Sequence, residues 1–136
     1  MDKHAIPLYV ANQYVRIVDD RKFNEADQIL WPDFTQQGPG FSTESRAAFI
    51  NSLEFLRQYS RTFHFLGSQF GEWTGDTYSG ETYCIASHFY MKEEIERTTD
   101  MGIRYQDIIE LRDGVGKYIK RDLKLVWTED RPLGGQ

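Results

Sequence analysis

Four polar or ionisable side chains fall where strand alternation would place apolar ones, and they are the residues of this sequence best suited to chemistry. His64 lies between two phenylalanines in SRTFHFLGSQF, residues 60–70. His88, Asp107 and Arg121 lie further along the chain, each among apolar neighbours of the same parity. Since burial of an unpaired charge costs several kcal/mol, such a set indicates either buried pairs or a polar pocket.

His64 has two interpretations: a hydrogen-bonded core residue, or a proton-transfer group held by a carboxylate. The segment YVRIVDDR offers such a carboxylate, because Asp19 and Asp20 fall where the first predicted helix ends. A carboxylate beside an imidazole orients the ring, selects its tautomer and raises its basicity, as a general base requires. An enzyme would place the two groups within about 2.6–3.2 Å of each other, at the base of an apolar cavity.

Asp107 and Arg121 also have two interpretations. They lie in the third and fourth predicted strands, which the turn DGVG (113–116) would join as a hairpin. The two side chains can therefore face each other across the sheet and neutralise each other. A structural ion pair and a role in a pocket both fit this pattern.

Helical periodicity precedes strand periodicity along the chain. Apolar residues recur at helical spacing from Ile6 to Val18, which predicts a first helix. Asn24 is expected to cap a second helix that stops after Trp31, because Pro32 follows. TQQGPGFSTES (35–45) predicts a loop, at whose end Ser42 or Thr43 caps a third helix.

Period-two alternation follows and predicts four strands, over 61–72, 77–91, 101–112 and 117–128. The links are TGD (74–76), KEEIERTTD (92–100) and DGVG, which suit an antiparallel meander. In the last strand, alternation places Arg121 on the apolar face and Tyr118 on the other. Helices followed by such a meander predict the α+β class, with a curved sheet enclosing a cavity.

Bulk composition excludes several classes of function. The 136 residues carry a formal net charge of −5 with scattered Lys and Arg, which disfavours nucleic acid and anionic membranes as partners. Aromatic residues make up 15% of the chain, enough to fill a core or line a pocket. The single cysteine, Cys84, fits a reducing compartment, and no signal peptide or long apolar span is present. We expect a cytoplasmic protein.

Three segments resemble the SnoaL-like proteins of the nuclear transport factor 2-like superfamily. They are YVRIVDDRKFNEADQILWPDF, RTFHFLGSQFGEWTGDTYSGETYCIASHFY and GIRYQDIIELRDGVGKYIKRDLKLVW. Together they make nearly the whole chain, 1–136, a single domain similar to the branch of bile-acid 7α-dehydratase, scytalone dehydratase and hexachlorocyclohexane dehydrochlorinase. The resemblance implies a cone-shaped α+β barrel of the cystatin-like type, with three N-terminal helices on a curved, mainly antiparallel sheet.

The resemblance also implies roles for individual residues. Asp19, rather than Asp20, and His64 match the family's catalytic dyad, and Tyr14 matches a tyrosine that hydrogen-bonds the substrate oxygen. The remaining candidates are substrate-binding residues: His88, Arg112, Asp107, Arg121 and Trp31. One departure is Gly116, which replaces a tryptophan and is expected to loosen one wall of the cone.

The implied function is a lyase of the dehydratase type, or an isomerase, acting on a hydrophobic cyclic small molecule without a metal or organic cofactor. The alternative is a non-catalytic domain that binds a small ligand or mediates oligomerisation, including one like the small subunit of a ring-hydroxylating oxygenase. The resemblance also implies a homodimer or homotrimer. Phe63 and Phe65, opposite His64 in parity, are expected to pack the sheet against helices or a partner subunit.

Overall fold

Four long strands dominate the computed structural model, which describes residues 1–134. Two α-helices, α1 (Ile6–Asp19) and α2 (Arg46–Ser52), and three short 3₁₀ helices (Lys3–Ala5, Phe23–Gln28 and Leu53–Gln58) accompany them. The strands are β1 (Leu30–Gly38), β2 (Phe41–Thr43), β3 (Arg61–Thr74), β4 (Thr77–Lys92), β5 (Ile95–Arg112) and β6 (Val115–Pro132).

The strands form one sheet in the order β2-β1-β6-β5-β4-β3. Neighbouring strands are antiparallel except for β1 and β6, which run parallel. The helices cover the face of the sheet that carries His64, and the buried core lies between them. The expected α+β class, with helices on a curved and mainly antiparallel sheet, is confirmed.

The predicted second helix is wrong beyond its first turns. Asn24 does not cap it, because it lies inside a 3₁₀ helix (Phe23–Gln28) that begins after Lys22. Leu30, Trp31 and Pro32 already belong to β1. Pro32 is tolerated there because the register between β1 and β6 shifts between Leu30 and Thr35, so no ladder bond needs its missing N–H. The sequence pattern could not show this, since the partner of β1 lies some 85 residues away, in β6.

The predicted loop over 35–45 is also mostly strand. Gln36, Gln37 and Gly38 pair with β2, and Gly40 turns the hairpin with a φ of +78°. The cap of the following helix is Ser45, not Ser42 or Thr43, because the Ser45 hydroxyl accepts the Ala48 N–H at 3.1 Å. α2 is short and continues as the 3₁₀ helix Leu53–Gln58.

Two further strand details differ from the prediction. Glu93 and Glu94 both have positive φ and form a tight turn, so β5 begins at Ile95 rather than at 101. The register between β5 and β6 shifts so that Ile109 pairs with Tyr118 and Ile108 with Lys120. The one-residue bulge restores Tyr118 to the same face as Arg121, and both are fully buried.

The packing of α1 positions the site. Its apolar face (Ile6, Val10, Ala11, Tyr14, Ile17 and Val18) is buried against the sheet, and Asp19 is its last residue. Gly116 does not loosen the wall, because Ile6 fills its place: a Cβ built on Gly116 would lie 2.6 Å from the Ile6 side chain. Phe63 and Phe65 are 58% and 63% exposed, so they do not pack against the helices.

Candidate active site

Asp19 and His64 form the central contact of the site. Asp19 Oδ1 lies 2.7 Å from His64 Nδ1, and Oδ2 accepts the backbone N–H of His64 at 2.8 Å. The Thr62 hydroxyl donates to Oδ1 at 2.8 Å. Asp20 follows the end of the helix and is exposed, so Asp19 is the carboxylate that faces β3.

These contacts fix the charge and the tautomer. Burial acts to raise the pKa of Asp19, but the hydrogen bonds from the His64 ring, the His64 backbone and the Thr62 hydroxyl outweigh it and lower that pKa below its usual value. Because the ionised carboxylate can only accept in this hydrogen bond, Nδ1 must donate, so the neutral form of the His64 ring carries its proton on Nδ1. Nε2 is then the basic nitrogen, and no residue between 1 and 134 donates a hydrogen bond to it.

His88 lies beside this dyad, with 6.3 Å between the two ring centroids. Its Nδ1 lies 3.0 Å from the Thr99 carbonyl oxygen, which can only accept, so Nδ1 carries the proton and Nε2 the lone pair. Burial is the main cause that lowers the pKa of His88, which keeps the ring neutral near pH 7. Tyr59 packs on the other side, 5.1 Å from His88 between centroids.

An apolar cavity of about 530 Å³ opens next to His88. Its walls come from α1, α2, the 3₁₀ helix after α2 and five of the six strands. Asp19 and His64 do not themselves line it, and they adjoin it through His88. The lining residues are Tyr14, Gln36, Phe41, Ser42, Thr43, Phe49, Ser52, Leu53, Phe55, Leu56, Tyr59, His88, Thr99, Met101 and Leu123.

Tyr14 is the one member of the predicted catalytic set that lines the cavity directly. Burial raises the pKa of its phenol, which therefore keeps its proton and can donate it in a hydrogen bond. Gln36 on β1 and Tyr105 on β5 lie beside this phenol and oppose the effect of burial on its pKa. The Arg121 guanidinium lies 4.3 Å from the ring centroid on the side of the core.

Asp107 and Arg121 form a buried ion pair behind Tyr14. Arg121 Nε donates to Asp107 Oδ1 at 3.0 Å, and the side chains are 0% and 1% exposed. The Thr82 hydroxyl donates to the other carboxylate oxygen at 2.7 Å. The guanidinium also lies over the rings of Tyr105 and Tyr118, at 3.8 Å and 4.8 Å. Neither charged residue lines the cavity, so the geometry fits the ion-pair interpretation.

Arg112 and Trp31 lie together at another place on the surface. Arg112 pairs with Asp33 at 2.9 Å and with Glu110 at 2.8 Å, and its guanidinium stacks on the Trp31 ring at 4.8 Å. Trp31 Nε1 donates to the Glu110 carbonyl at 2.8 Å. The structure therefore gathers these two candidates into one surface cluster and not with His64.

Four polar residues of the site escaped the sequence analysis: Thr62, Thr99, Gln36 and Thr43. Thr62 has the same strand parity as His64 and could have been found by that signal. Gln36 and Thr43 are not revealed by the sequence pattern, because that pattern predicts a loop over 35–45. In the chain as described, the Thr43 hydroxyl is buried without a hydrogen-bond partner, and Thr43 is also one of the residues that line the cavity.

The thiol of Cys84 is not suited to nucleophilic catalysis. Cys84 is buried on the same face of β4 as His88, and burial raises its pKa to about 12. A thiol with that pKa does not act as a nucleophile near neutral pH.

Over residues 1–134 no group of three or more His, Cys, Asp or Glu side chains is arranged as a metal site, and no helix in that range is long and apolar enough to cross a membrane.

Comparison with known families matches residues 2–122 to the SnoaL-like domain. That match spans most of the sequence. The chain belongs to the SnoaL-like family. A sequence comparison with curated proteins finds no significant match.

Several solved structures share the fold at low sequence identity. A candidate scytalone dehydratase from Novosphingobium aromaticivorans superposes with a TM-score of 0.83 at 21% identity, over 94% of this chain and 86% of that one. The hexachlorocyclohexane dehydrochlorinase LinA-type3 from Novosphingobium barchaimii gives 0.79 at 17%, over 93% and 87%. ActVI-ORFA from Streptomyces coelicolor gives 0.74 at 17%, over 90% and 96%.

Asp130, at the rim next to Thr99, makes the stability of this end of the sheet depend on pH. Hydrogen bonds from Thr99, Tyr90 and Arg97 lower its pKa to about 2, against about 3.9 in an unfolded chain. The stabilisation is therefore complete above pH ~4 and is lost as the pH falls towards 2. Chemical denaturation should show Asp130→Asn less stable than wild type at pH 7, with the difference shrinking towards pH 2. A difference that stays constant over this range would contradict the assignment.

Proposed function

We propose that this SnoaL-like protein is a cofactor-independent lyase of the dehydratase type, or an isomerase, acting on a hydrophobic cyclic small molecule. The observation that supports this proposal most directly is the 2.7 Å contact between Asp19 Oδ1 and His64 Nδ1. This contact leaves His64 Nε2 as the free base beside an apolar cavity. The fold shared with dehydratase and dehydrochlorinase structures supports the reaction class.

In the proposed reaction His64 Nε2 takes a proton from carbon, and the electron pair of that C–H bond forms a double bond. Asp19 stabilises the imidazolium that forms, because its carboxylate is already ionised and paired with Nδ1. In a dehydration the leaving hydroxide departs as water by taking the proton back from His64. In an isomerisation the same proton returns to another carbon. The Tyr14 phenol donates a hydrogen bond to the substrate oxygen that gains charge.

The cavity restricts the class of substrate. Its middle is apolar, with Phe49, Leu53 and Met101 among the walls, so it suits a hydrocarbon ring system. Thr43 lies on β2 and His88 on β4, four strands apart in the sheet order. Since the Thr43 hydroxyl is buried and lacks a protein partner, we propose that the substrate carries a second oxygen function far from the reacting carbon.

A non-catalytic ligand-binding domain is the second candidate. The observation that favours it is that Asp19 and His64 adjoin the cavity without lining it. In that case His88 and Tyr14 would act only as hydrogen-bonding groups for a ligand.

We also propose that the protein is cytoplasmic and forms a homodimer or homotrimer.

A panel of hydroxylated alicyclic and steroid-like compounds separates these candidates. We expect some compounds to raise the melting temperature and, among them, at least one to lose water or isomerise, measured by absorbance and mass spectrometry. Members with a second oxygen at the far end should bind more tightly than matched members without it. Binding with no turnover across the panel supports the non-catalytic domain, and no binding at all contradicts both candidates.

Filling the cavity should weaken binding. Met101 lies on the cavity wall and is partly buried, so Met101→Trp places a larger ring in the space of the ligand. We expect the Kd of a compound from the panel to rise by at least about tenfold, measured by isothermal titration calorimetry. Met91→Trp is the matched control, because Met91 is 60% exposed and does not line this cavity. Equal affinity in both variants would place the ligand elsewhere.

A further inference from the structure

Helix α1 ends in a turn whose backbone conformation favours glycine, but the residue in that position is Arg21. Arg21 follows Asp19 by two residues and has a φ of +59°, in the left-handed region. Its N–H donates to the Val18 carbonyl at 3.2 Å, and the N–H of Lys22 donates to the Ile17 carbonyl at 2.9 Å. These two bonds define the Schellman motif, in which glycine is the usual left-handed residue. An arginine is strained there, so the backbone alone gives no reason for it.

The side chain of Arg21 gives the reason. Its guanidinium reaches the end of the 3₁₀ helix Leu53–Gln58, where Nη1 donates to the Leu56 carbonyl at 2.8 Å and Nη2 donates to the Tyr59 carbonyl at 3.0 Å. The last carbonyls of a helix lack partners within it and form the negative end of its dipole. A cation that donates to two of them therefore fixes this end of the 3₁₀ helix against the end of α1.

The two carbonyls that Arg21 binds belong to residues of the cavity wall, Leu56 and Tyr59. The Tyr59 N–H also donates to the Leu56 carbonyl, at 3.0 Å, so the two residues are held together. The Tyr59 ring packs on His88, with 5.1 Å between the ring centroids. Tyr59 also lines a second pocket, of about 600 Å³, so it is part of a wall that this pocket shares with the cavity.

Thr99 is the other residue that lines both the cavity and the second pocket. It lies within β5, where its carbonyl oxygen is 3.0 Å from His88 Nδ1 and its hydroxyl donates to Asp130 at 2.6 Å. The sheet therefore fixes the Thr99 side of the shared wall. Tyr59 lies outside the sheet, between the 3₁₀ helix and β3, and its carbonyl is tied to the end of α1 by Arg21.

We propose that Arg21 is a positioning residue that holds Leu56 and Tyr59 in the cavity wall and so separates the cavity from the second pocket. Its backbone ends the helix that presents Asp19, and its side chain sets the wall that packs on His88. Arg21 does not line the cavity, so it acts through the 3₁₀ helix and not on a substrate. The position of the wall is independent of the proposed function, whereas the effect of Arg21 on a substrate rests on that function.

Substitutions that keep the turn but remove the guanidinium test this role without a ligand. Arg21→Gly and Arg21→Asn both suit the left-handed conformation, and neither side chain is long enough to reach the 3₁₀ helix. In both variants we expect the NMR cross-peaks between the rings of Tyr59 and His88 to weaken. Hydrogen exchange of the Tyr59 amide should become faster by about tenfold or more. Arg16→Ala is the matched control, because Arg16 is exposed on the same helix.

A compound that the panel identifies adds a measurement that a loss of stability alone would not change. Well below the melting temperature, we expect Kd to rise at least about fivefold in Arg21→Gly and Arg21→Asn, with kcat within about twofold of wild type because the turn still presents Asp19. Arg21→Lys, which has one donor nitrogen in place of two, should restore part of the affinity.

Unchanged cross-peaks between Tyr59 and His88 in both variants would overturn the positioning role, whatever the panel shows. A displaced wall with an unchanged Kd would overturn the effect of Arg21 on binding. A displaced wall in a protein that binds no member of the panel would contradict the proposed function and leave the positioning role of Arg21 supported.

Discussion

His64→Ala is expected to lower kcat by about 10²–10⁴-fold for a compound that the panel identifies, which is the range for loss of a well-placed general base. The affinity for that compound should change less than kcat, because the apolar walls that hold the ring system stay unaltered. Steady-state kinetics and calorimetry on the same compound measure the two effects separately. Equal turnover by His64→Ala and wild type would remove His64 as the base.

Asp19→Asn distinguishes a working dyad from a structural contact. The asparagine keeps the size of the side chain but can present an N–H to Nδ1, which favours the tautomer with the proton on Nε2. That tautomer has no lone pair for the substrate, so kcat should fall almost as far as in His64→Ala while the fold is retained. His88→Gln is the matched comparison, since a neutral glutamine can replace the neutral His88 in hydrogen bonding. We expect the His88→Gln variant to lose more in its affinity for the compound than in kcat.

The His–Asp contact could be predicted because its signals are local. Strand parity predicts that His64 lies on the face of the sheet that the helices cover. The end of the helical periodicity predicts that Asp19 lies at the end of the first helix, and the family resemblance pairs these two residues. β1 and β2 could not be predicted in this way. β1 pairs with β6, some 85 residues further along the chain, and Pro32 and Gly38 argue locally against strands. The consequence was that Gln36 and Thr43 were missing from the predicted cavity.

Two register shifts between β5 and β6 limited the prediction for the last strand. Parity separated Tyr118 from Arg121, and only the shift at Ile119 brings both into the core. The face assigned to Phe63 and Phe65 was right in parity, but alternation does not reveal what covers a face. The family resemblance implied that Arg112 binds the substrate, but its hydrogen bonds to Asp33 and Glu110 hold it in a surface cluster, away from the cavity.

Asp107→Asn should cause the largest loss of stability in the chain. Arg121 is fully buried, and its two terminal nitrogens have no hydrogen-bond partner among residues 1–134. Within this part of the chain, the positive charge of Arg121 is therefore stabilised by Asp107 and three tyrosine rings alone. A guanidinium cannot give up its proton to become neutral, so removal of the countercharge leaves a buried unpaired cation. We expect a loss of about 3–5 kcal/mol in the free energy of unfolding, measured by urea denaturation.

Arg121→Met should cost less, because the remaining partner can change its charge. Burial already raises the pKa of Asp107, and removal of Arg121 removes the main opposing cause. The carboxyl can then fold protonated and stay in its hydrogen bond with Thr82. A pKa raised by folding gives stability that is lost as pH rises, so this variant should grow more stable, relative to wild type, as pH falls from 7 towards 4.

The double variant, Asp107→Asn with Arg121→Met, identifies the source of these losses. With both charges gone, no unpaired ion is buried, and the methionine side chain can fill the space among Tyr14, Tyr105 and Tyr118. We expect it to be more stable than Asp107→Asn alone, with a coupling of about 1–3 kcal/mol between the two sites. Losses that simply add would mean that the pair is not coupled. Since Arg121 also supports the Tyr14 ring from behind, an intact fold with a higher KM in the double variant would connect this ion pair to substrate binding.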